Sequence, residues 1–310
     1  MAPLISTNLQ SLREDLADII SDISPSSTPV LSSIGKTNAT QEYHQFLTDT
    51  LAPANKDNAA PEGAPAPTTT LNGPTKIGNH TQIFRKVVDV SNSTIASKTA
   101  GAKDEFLRQV VKAGKELKLD MEASIVSDNA SVGGSTRKSA GMGAWISTNA
   151  MHGAGGSTPG FASAIVGDVV DGTTRPLTED LFNDMIEEIY GHTDTDELRV
   201  IAPPKLKKAI SQFDANATKY NVSATKKLTN TVDIYVNDFS VLNIGLSRYL
   251  KSTSIIAYNP ELWAWASLRP ITKIDLAVTG DAKNMMLVTE GTLESRNETG
   301  NGKLADVTAV

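Results

Sequence analysis

The sequence predicts an α+β fold assembled from three unlike parts. Three observations carry this. A Pro/Ala-rich excursion is flanked by β-rich arms, a long amphipathic helix follows it, and from Arg175 onward helix caps, short helices and strands alternate as in a compact α/β unit.

Composition sets the bounds. The 310 residues suffice for about two domains or one large irregular one. Only 39% are apolar, so a core forms but much of the chain lies extended or at the surface. A formal charge of −6 argues against a protein that coats nucleic acid, which carries a strong basic patch. It leaves room for a shell that encloses nucleic acid without sticking to it. Cysteine is absent, which excludes disulfides, thiol nucleophiles and zinc thiolate sites. The start, Met1 to Asn8, has no positive segment and no long apolar run, so no secretory signal is expected. No apolar run approaches the ~18 residues of a membrane span.

Leu9, Leu12, Leu16, Ile19, Ile20 and Ile23 recur at helical spacing, with Arg13, Glu14, Asp15 and Asp18 between them. This amphipathic helix ends at Ser24-Pro25. It serves either as an ordinary surface helix or as an arm that docks on a neighbouring subunit. Glu42 to Leu51 reads as a strand. Ala52 to Pro74 holds five prolines, which no helix or central strand accommodates, and it is far longer than the usual ~4–6-residue connection. Asn79 to Val90 reads as a returning β arm, apolar on both faces with Arg85 and Lys86 in its middle. A two-stranded ribbon is marginally stable alone. Both faces therefore need cover, and a neighbouring molecule can supply it. A linker between domains is the plainer alternative.

The strongest helix spans about Lys103 to Ser127. Phe106, Val110, Gly114, Leu117, Met121 and Ile125 form one stripe, and at ~1.5 Å per residue the rod exceeds roughly 35 Å. Ser131 to Gly160 is Gly/Ser-rich, with few apolar residues besides Trp145 and Ile146, and reads as an irregular, mobile loop. Thr178 then caps a helix with Glu179 and Asp180 at its positive end, Leu177 and Phe182 as a staple, and Gly191 as its stop. Leu198 to Ala202 is a buried-type strand. Pro204 opens a short helix lined by Leu206, Ile210 and Phe213. Strands follow over Val232 to Val236, Val241 to Leu246, Ser254 to Tyr258, Ile271 to Val278 and Met285 to Glu294. The Gly300-Asn301-Gly302 turn closes the chain.

The search for chemistry fails at each motif. Gly155-Gly156-Ser157-Thr158-Pro159 lacks the final glycine and the strand–helix flanks of a nucleophile elbow. Gly35-Lys36-Thr37 would need its first phosphate-loop glycine at Val30. Asp194, Asp196 and Glu197 after His192 break the calcium-loop pattern at Leu198-Arg199. The histidines, His44, His80, His152 and His192, share no helical metal spacing. The expectation is a protein with no catalytic residues, no cofactor and no metal.

The order of parts resembles the major capsid proteins of tailed bacteriophages, with the Hong Kong 97-like fold. The carrying segments are Asn79 to Ser91, Gly114 to Glu122, Gly141 to Asn149 around Trp145-Ile146, and Tyr235 to Phe239. Tyr258 to Trp263, Leu268-Arg269-Pro270 and Arg296-Asn297-Glu298 complete the set. The resemblance implies an N-arm over 1–40, a β-hairpin E-loop over 41–95, and a P-domain part with spine helix and glycine-rich loop over 96–174. An A-domain over 175–268 and a returning P-domain segment over 269–310 follow. It also implies self-assembly of pentamers and hexamers into an icosahedral shell around double-stranded DNA in the virion, built in the host cytoplasm. No sequence-specific DNA binding and no membrane are implied. Decoration, scaffolding and portal proteins are the further partners it suggests; a scaffolding segment in cis is not expected, because the arm starts close to Met1. The E-loop is expected to lie over a neighbour's spine helix and P-domain. Residues Phe46, Leu47, Ile83, Phe84, Arg85, Val87, Phe106, Val110 and Met121 are the candidates for inter-subunit contact. Lys56, Lys76 and Asn297 are present for the Lys–Asn cross-link some members form, but nothing marks a buried acid beside Asn297, so no cross-link is expected. A tail or decoration protein, or a secreted binding or hydrolytic protein, is the alternative reading.

Overall fold

In the computed structural model, residues 27–63, 65–66, 73–97, 104–193, 197–213, 234–237, 239–278 and 280–309 are described. The amphipathic helix expected near Leu9 to Ile23 and the acidic positions Asp194 and Asp196 lie outside them.

Two cores form. The first packs around α3 (Glu105–Ile125), the long helix. Asp104 caps it, its carboxylate accepting the Leu107 N–H at 3.0 Å, and Glu105 sits at the positive end of the dipole. Phe106, Val110, Ala113, Leu117, Met121 and Ile125 are buried along one face. That face lies on a four-stranded sheet in the order β1 (Gly35–Asn38), β13 (Trp263–Asp275), β14 (Ala282–Ser295), β4 (Gln82–Ser91). β13 and β14 form a long antiparallel hairpin whose register shifts on either side of Arg269. Pro270 lies in the shifted stretch; it has no N–H to give the ladder, so pairing is interrupted there.

The second core lies under a six-stranded mixed sheet, in the order β10 (Ile234–Val236), β11 (Val241–Leu246), β9 (Glu197–Ala202), β12 (Ile255–Tyr258), β15 (Gly302–Leu304), β5 (Ala150–Met151). Two helices cover one face of it. α5 (Glu179–Tyr190) buries Phe182, Met185, Ile186 and Ile189; α6 (Pro204–Ile210) buries Leu206 and Ile210. Thr178 caps α5 as expected, its hydroxyl accepting the Leu181 N–H. Gly191 ends the helix with an ordinary right-handed φ of −63°, so its conformational freedom is not what stops it. Gly302 is needed for space: a Cβ there would sit 2.6 Å from Ile189 Cδ1, and its absence lets α5 approach β15.

Three expectations are corrected. The β run from Asn79 to Val90 is two strands, not one arm. β3 (Thr75–His80) pairs with β2 (Tyr43–Thr48) in the hairpin, while β4 leaves it at Thr81 and pairs with β14 over ten positions. One of its apolar faces is therefore covered by the subunit's own core, through Phe84, Val88 and Val90. The Gly/Ser-rich segment is irregular but packed: residues 139–146 are buried, including the short α4 (Met142–Trp145). Small side chains let that backbone fit against the first core. Finally, the boundary expected at 268/269 falls inside β13, and the compact sheet borrows β5 and β15 from outside 175–268. Strand pairing between distant segments made both differences.

Candidate inter-subunit interface

The β2–β3 hairpin joins neither large sheet. Its strands bury little, and Leu47 is 63% and Leu51 98% exposed. Its root is anchored by Phe46 and Ile77, which pack against the first core, and by polar side chains. Asn79 is fully buried; its amide donates to Leu293 O at 2.9 Å and accepts the Ala140 N–H at 2.9 Å. His44 meets Glu294 at 3.3 Å, and Thr37 donates to the same carboxylate at 2.8 Å. With Arg296 also beside it, these partners hold the Glu294 carboxyl down at about 2, the His44 bond contributing most. Gly78 faces Tyr43 across the hairpin, where a Cβ would stand 2.7 Å from the tyrosine ring. That ring lies 4.7 Å from His80, and its hydroxyl donates to Ala164 O.

Where the chain leaves the hairpin, a second carboxylate organises β4. Glu290 accepts from Arg137 at 2.6 Å, Arg269 at 2.8 Å and Thr81 at 2.9 Å, and Arg137 reaches on to Glu42 at 3.1 Å. Burial alone would raise the Glu290 carboxyl; these donors outweigh it and keep it low. The hairpin thus projects from a charged, hydrogen-bonded base.

Beside the open edge of β4 runs a groove of about 390 Å³, floored by Val87 to Ser91 and walled by Glu105, Gln109, Lys112 and Glu116 of α3. Ile83, Arg85 and Val87 point away from the core on the exposed side of β4. Leu47 is exposed on the hairpin, and Phe46 is half-buried with its ring 5.9 Å from Trp145. Four expected contact residues point elsewhere. Phe84, Phe106, Val110 and Met121 are buried in the subunit's own first core, because the α3 stripe packs on β4 and β14. The exposed side of α3 instead carries Leu107 and Val111, at 55% and 57% exposure. Sequence reading passed over them, although two apolar residues four apart on the polar side of a helix were the available signal.

Elsewhere a hydroxyl, an imidazole and a carboxylate align. Thr158 Oγ1 lies 2.8 Å from His152 Nε2, and His152 Nδ1 lies 3.4 Å from Asp306. Asp306 also accepts the Gly153 and Gly172 N–H groups, which helps hold its carboxyl low. Burial, with Lys303 nearby, pushes the His152 imidazole down. Every partner here fastens a loop: 152–158, 172 and the segment after β15. Among the described residues no group of His, Asp and Glu could hold a metal ion, and no helix is long and apolar enough to cross a membrane.

Comparison with known proteins matches this architecture. The family model of the SU10 major capsid protein matches residues 4–308. A curated major capsid protein of Escherichia phage Phieco32 is 25% identical over 97% of this chain and 96% of its own. The capsid asymmetric unit of cyanophage A-1(L) superposes with a TM-score of 0.69 at 12% identity, covering 98% of this chain and all of that one. The capsid of an empty GTA particle gives 0.63 at 11%, covering 99% and 100%. The fold is the Hong Kong 97-like capsid fold, and the chain belongs to the SU10 major capsid protein family, whose members build the virion shell of tailed bacteriophages.

Proposed function

We propose that copies of this chain close an icosahedral head of pentamers and hexamers around double-stranded DNA, assembling in the host cytoplasm without catalysing any reaction. The observation that carries this reading is the hairpin: two strands that join neither large sheet, held to the first core at the root by Phe46, Ile77 and the polar bonds of Asn79 and His44, with Leu47 exposed beyond it. Such a ribbon gains cover when it crosses another subunit. Leu47, the outward Ile83 and Val87 of β4, and the exposed Leu107 and Val111 of α3 supply apolar contact, Arg85 beside them supplies a charge, and the groove beside β4 offers a place for it. Phe46 steadies the hairpin base against Trp145. Decoration, scaffolding and portal proteins are the further partners this reading implies. The Thr158–His152–Asp306 row serves as a loop fastener.

The test is electron microscopy and sedimentation of the purified chain beside a variant in which residues 49–74 are replaced by Asn-Gly, a two-residue turn that matches the Thr48–Thr75 pairing. The full chain forms closed shells. The variant melts cooperatively but stays as subunits or capsomer-sized oligomers. Normal shells from the variant would refute a contact role for the part of the hairpin beyond Thr48 and Thr75, normal shells from Leu47→Asp would refute the contact role of its strands, and tubes or rings from the full chain would refute the head. Hydrolytic turnover that disappears in Thr158→Ala would refute the non-enzymatic reading.

A further inference from the structure

The six-stranded sheet is covered on one face by α5 and α6, but its other face is only half covered among the described residues. Strand pairing sets which residues share that second face. Ile234 pairs with Asn243 and Asn243 with Arg199; Val236 pairs with Val241 and Val241 with Glu197; Gly245 pairs with Ile201 and Ile201 with Ile256. The half near Ile201, Ile256 and Tyr258 belongs to the first core, and Ser33, the last residue of α1 (Pro29–Ser33), bonds the Tyr258 hydroxyl at 2.9 Å. The other half is open. Ile234 is 61%, Val236 66% and Val241 39% exposed.

A groove of about 360 Å³ lies on this face, lined by Arg199, Ile201, Asn243, Gly245, Tyr258 and Pro29. Pro29 is the telling member, because it places the chain's entry at the mouth of this groove. Upstream of the first described residue stand 26 residues. They contain the apolar stripe Leu9, Leu12, Leu16, Ile19, Ile20 and Ile23, with acidic Glu14, Asp15, Asp18 and Asp22 off it.

We propose that the amphipathic segment 9–23 of the same chain docks its apolar stripe on this open sheet face, making a third layer over Ile234, Val236 and Val241. The dimensions agree. At the helical spacing that its apolar pattern gives, a fifteen-residue segment would measure about 22 Å at ~1.5 Å each, and the six-residue strands β9 and β11 measure about 20 Å at ~3.3 Å each. The five residues 24–28 span up to ~17 Å, enough to carry the segment from the groove mouth onto the face. Arg199 in the groove offers the acid-rich segment a cation. A helix on one side of a sheet leaves its other apolar side in need of cover, and a helical third layer is the common solution. The inference concerns one subunit and does not rest on shell closure.

The chain has no cysteine, so a designed pair reports without background. Val236→Cys is combined in turn with Leu12→Cys, Leu16→Cys, Ile19→Cys and Ile20→Cys in the full chain, and with Asp15→Cys as the polar-side control. Each is oxidised as unassembled subunit and read by non-reducing electrophoresis and intact mass. Disulfide closure needs Cα atoms within about 7 Å. At least one stripe position should close an intramolecular bond several-fold more fully than the control, giving a faster-migrating monomer that reductant reverses. Dimers in place of that monomer would mean a second copy covers the face, and would overturn the proposal. So would equal closure by the control, or no closure at any stripe position in variants that keep the wild-type melt; the face is then left to another segment or to solvent.

Discussion

Lys303 lies almost wholly buried, where burial pushes its ammonium below the usual lysine range. It is kept in place by Asp128 at 2.7 Å and the Gly143 carbonyl at 2.8 Å. The pair ties β15 to the end of α3, one core to the other. Removing one partner of a buried ion pair strands the other, so Lys303→Ala should cost about 3–5 kcal/mol in urea unfolding. Lys303→Met keeps the chain's volume and should cost less. Glu294 is the acid-sensitive residue. Its carboxyl titrates near 2 in the fold against an ordinary 4.5, so the ionised form is the one that stabilises. That contribution is complete above pH 4.5 and is lost as pH falls through about 2. Wild-type subunit should lose about 1–3 kcal/mol over this window relative to Glu294→Gln, measured by urea melts at pH 5 and 2.5. Glu122 runs the other way. Burial raises its carboxyl, although the Val30 and Leu31 N–H groups bond it at 3.0 and 2.7 Å. Its contribution is complete below the ordinary carboxyl value and declines as pH rises through the folded one.

At the scale of elements, α3 decides whether the first core exists. Met121 is 5% exposed within the buried stripe, one turn before its end at Ile125, whereas Lys118 is exposed. Met121→Asp buries a carboxylate without a partner, a cost of several kcal/mol that rivals a domain's whole stability. The variant should be insoluble or melt without cooperativity, and Lys118→Asp should resemble wild type; a soluble Met121→Asp subunit at normal yield would contradict this. β4 belongs with α3. A deletion reaching Val88 removes a sheet strand and Phe84 from the core, so it should unfold the subunit, whereas a change confined to 49–74 should not.

For the whole molecule, the relevant question is what holds copies together. Asn297 is exposed, and its side-chain oxygen accepts both Thr299 groups, the N–H at 3.1 Å and the hydroxyl at 2.7 Å. Attack of a lysine amine on the Asn297 side-chain carbonyl, with ammonia leaving, needs a water-excluded, oriented site, and within the subunit Asn297 is exposed. Particles boiled in denaturant should run as one band at the monomer mass, and a ladder of higher bands would refute non-covalent closure.

The amino-acid order by itself determined the elements whose signals are local. The α3 stripe, the Thr178 cap and Pro204 at a helix start are all set by neighbours within a turn or two, and they were legible; the strand read at Ile271 to Val278 instead runs from Trp263 to Asp275, because pairing with β14 extends it. The same holds for the order of parts that placed the chain among capsid proteins. Only the tertiary structure decided what depends on distant pairing. Thr81 divides hairpin from sheet because Glu290, more than two hundred residues later, takes its hydroxyl. Phe84 is core and Ile83 is surface because β14 fixes the register of β4. The glycine-rich segment is packed because Asn79 and Lys303 reach it from opposite ends of the chain. Burial and long-range hydrogen bonding are properties of the folded arrangement, and no local pattern encodes which distant partner will arrive.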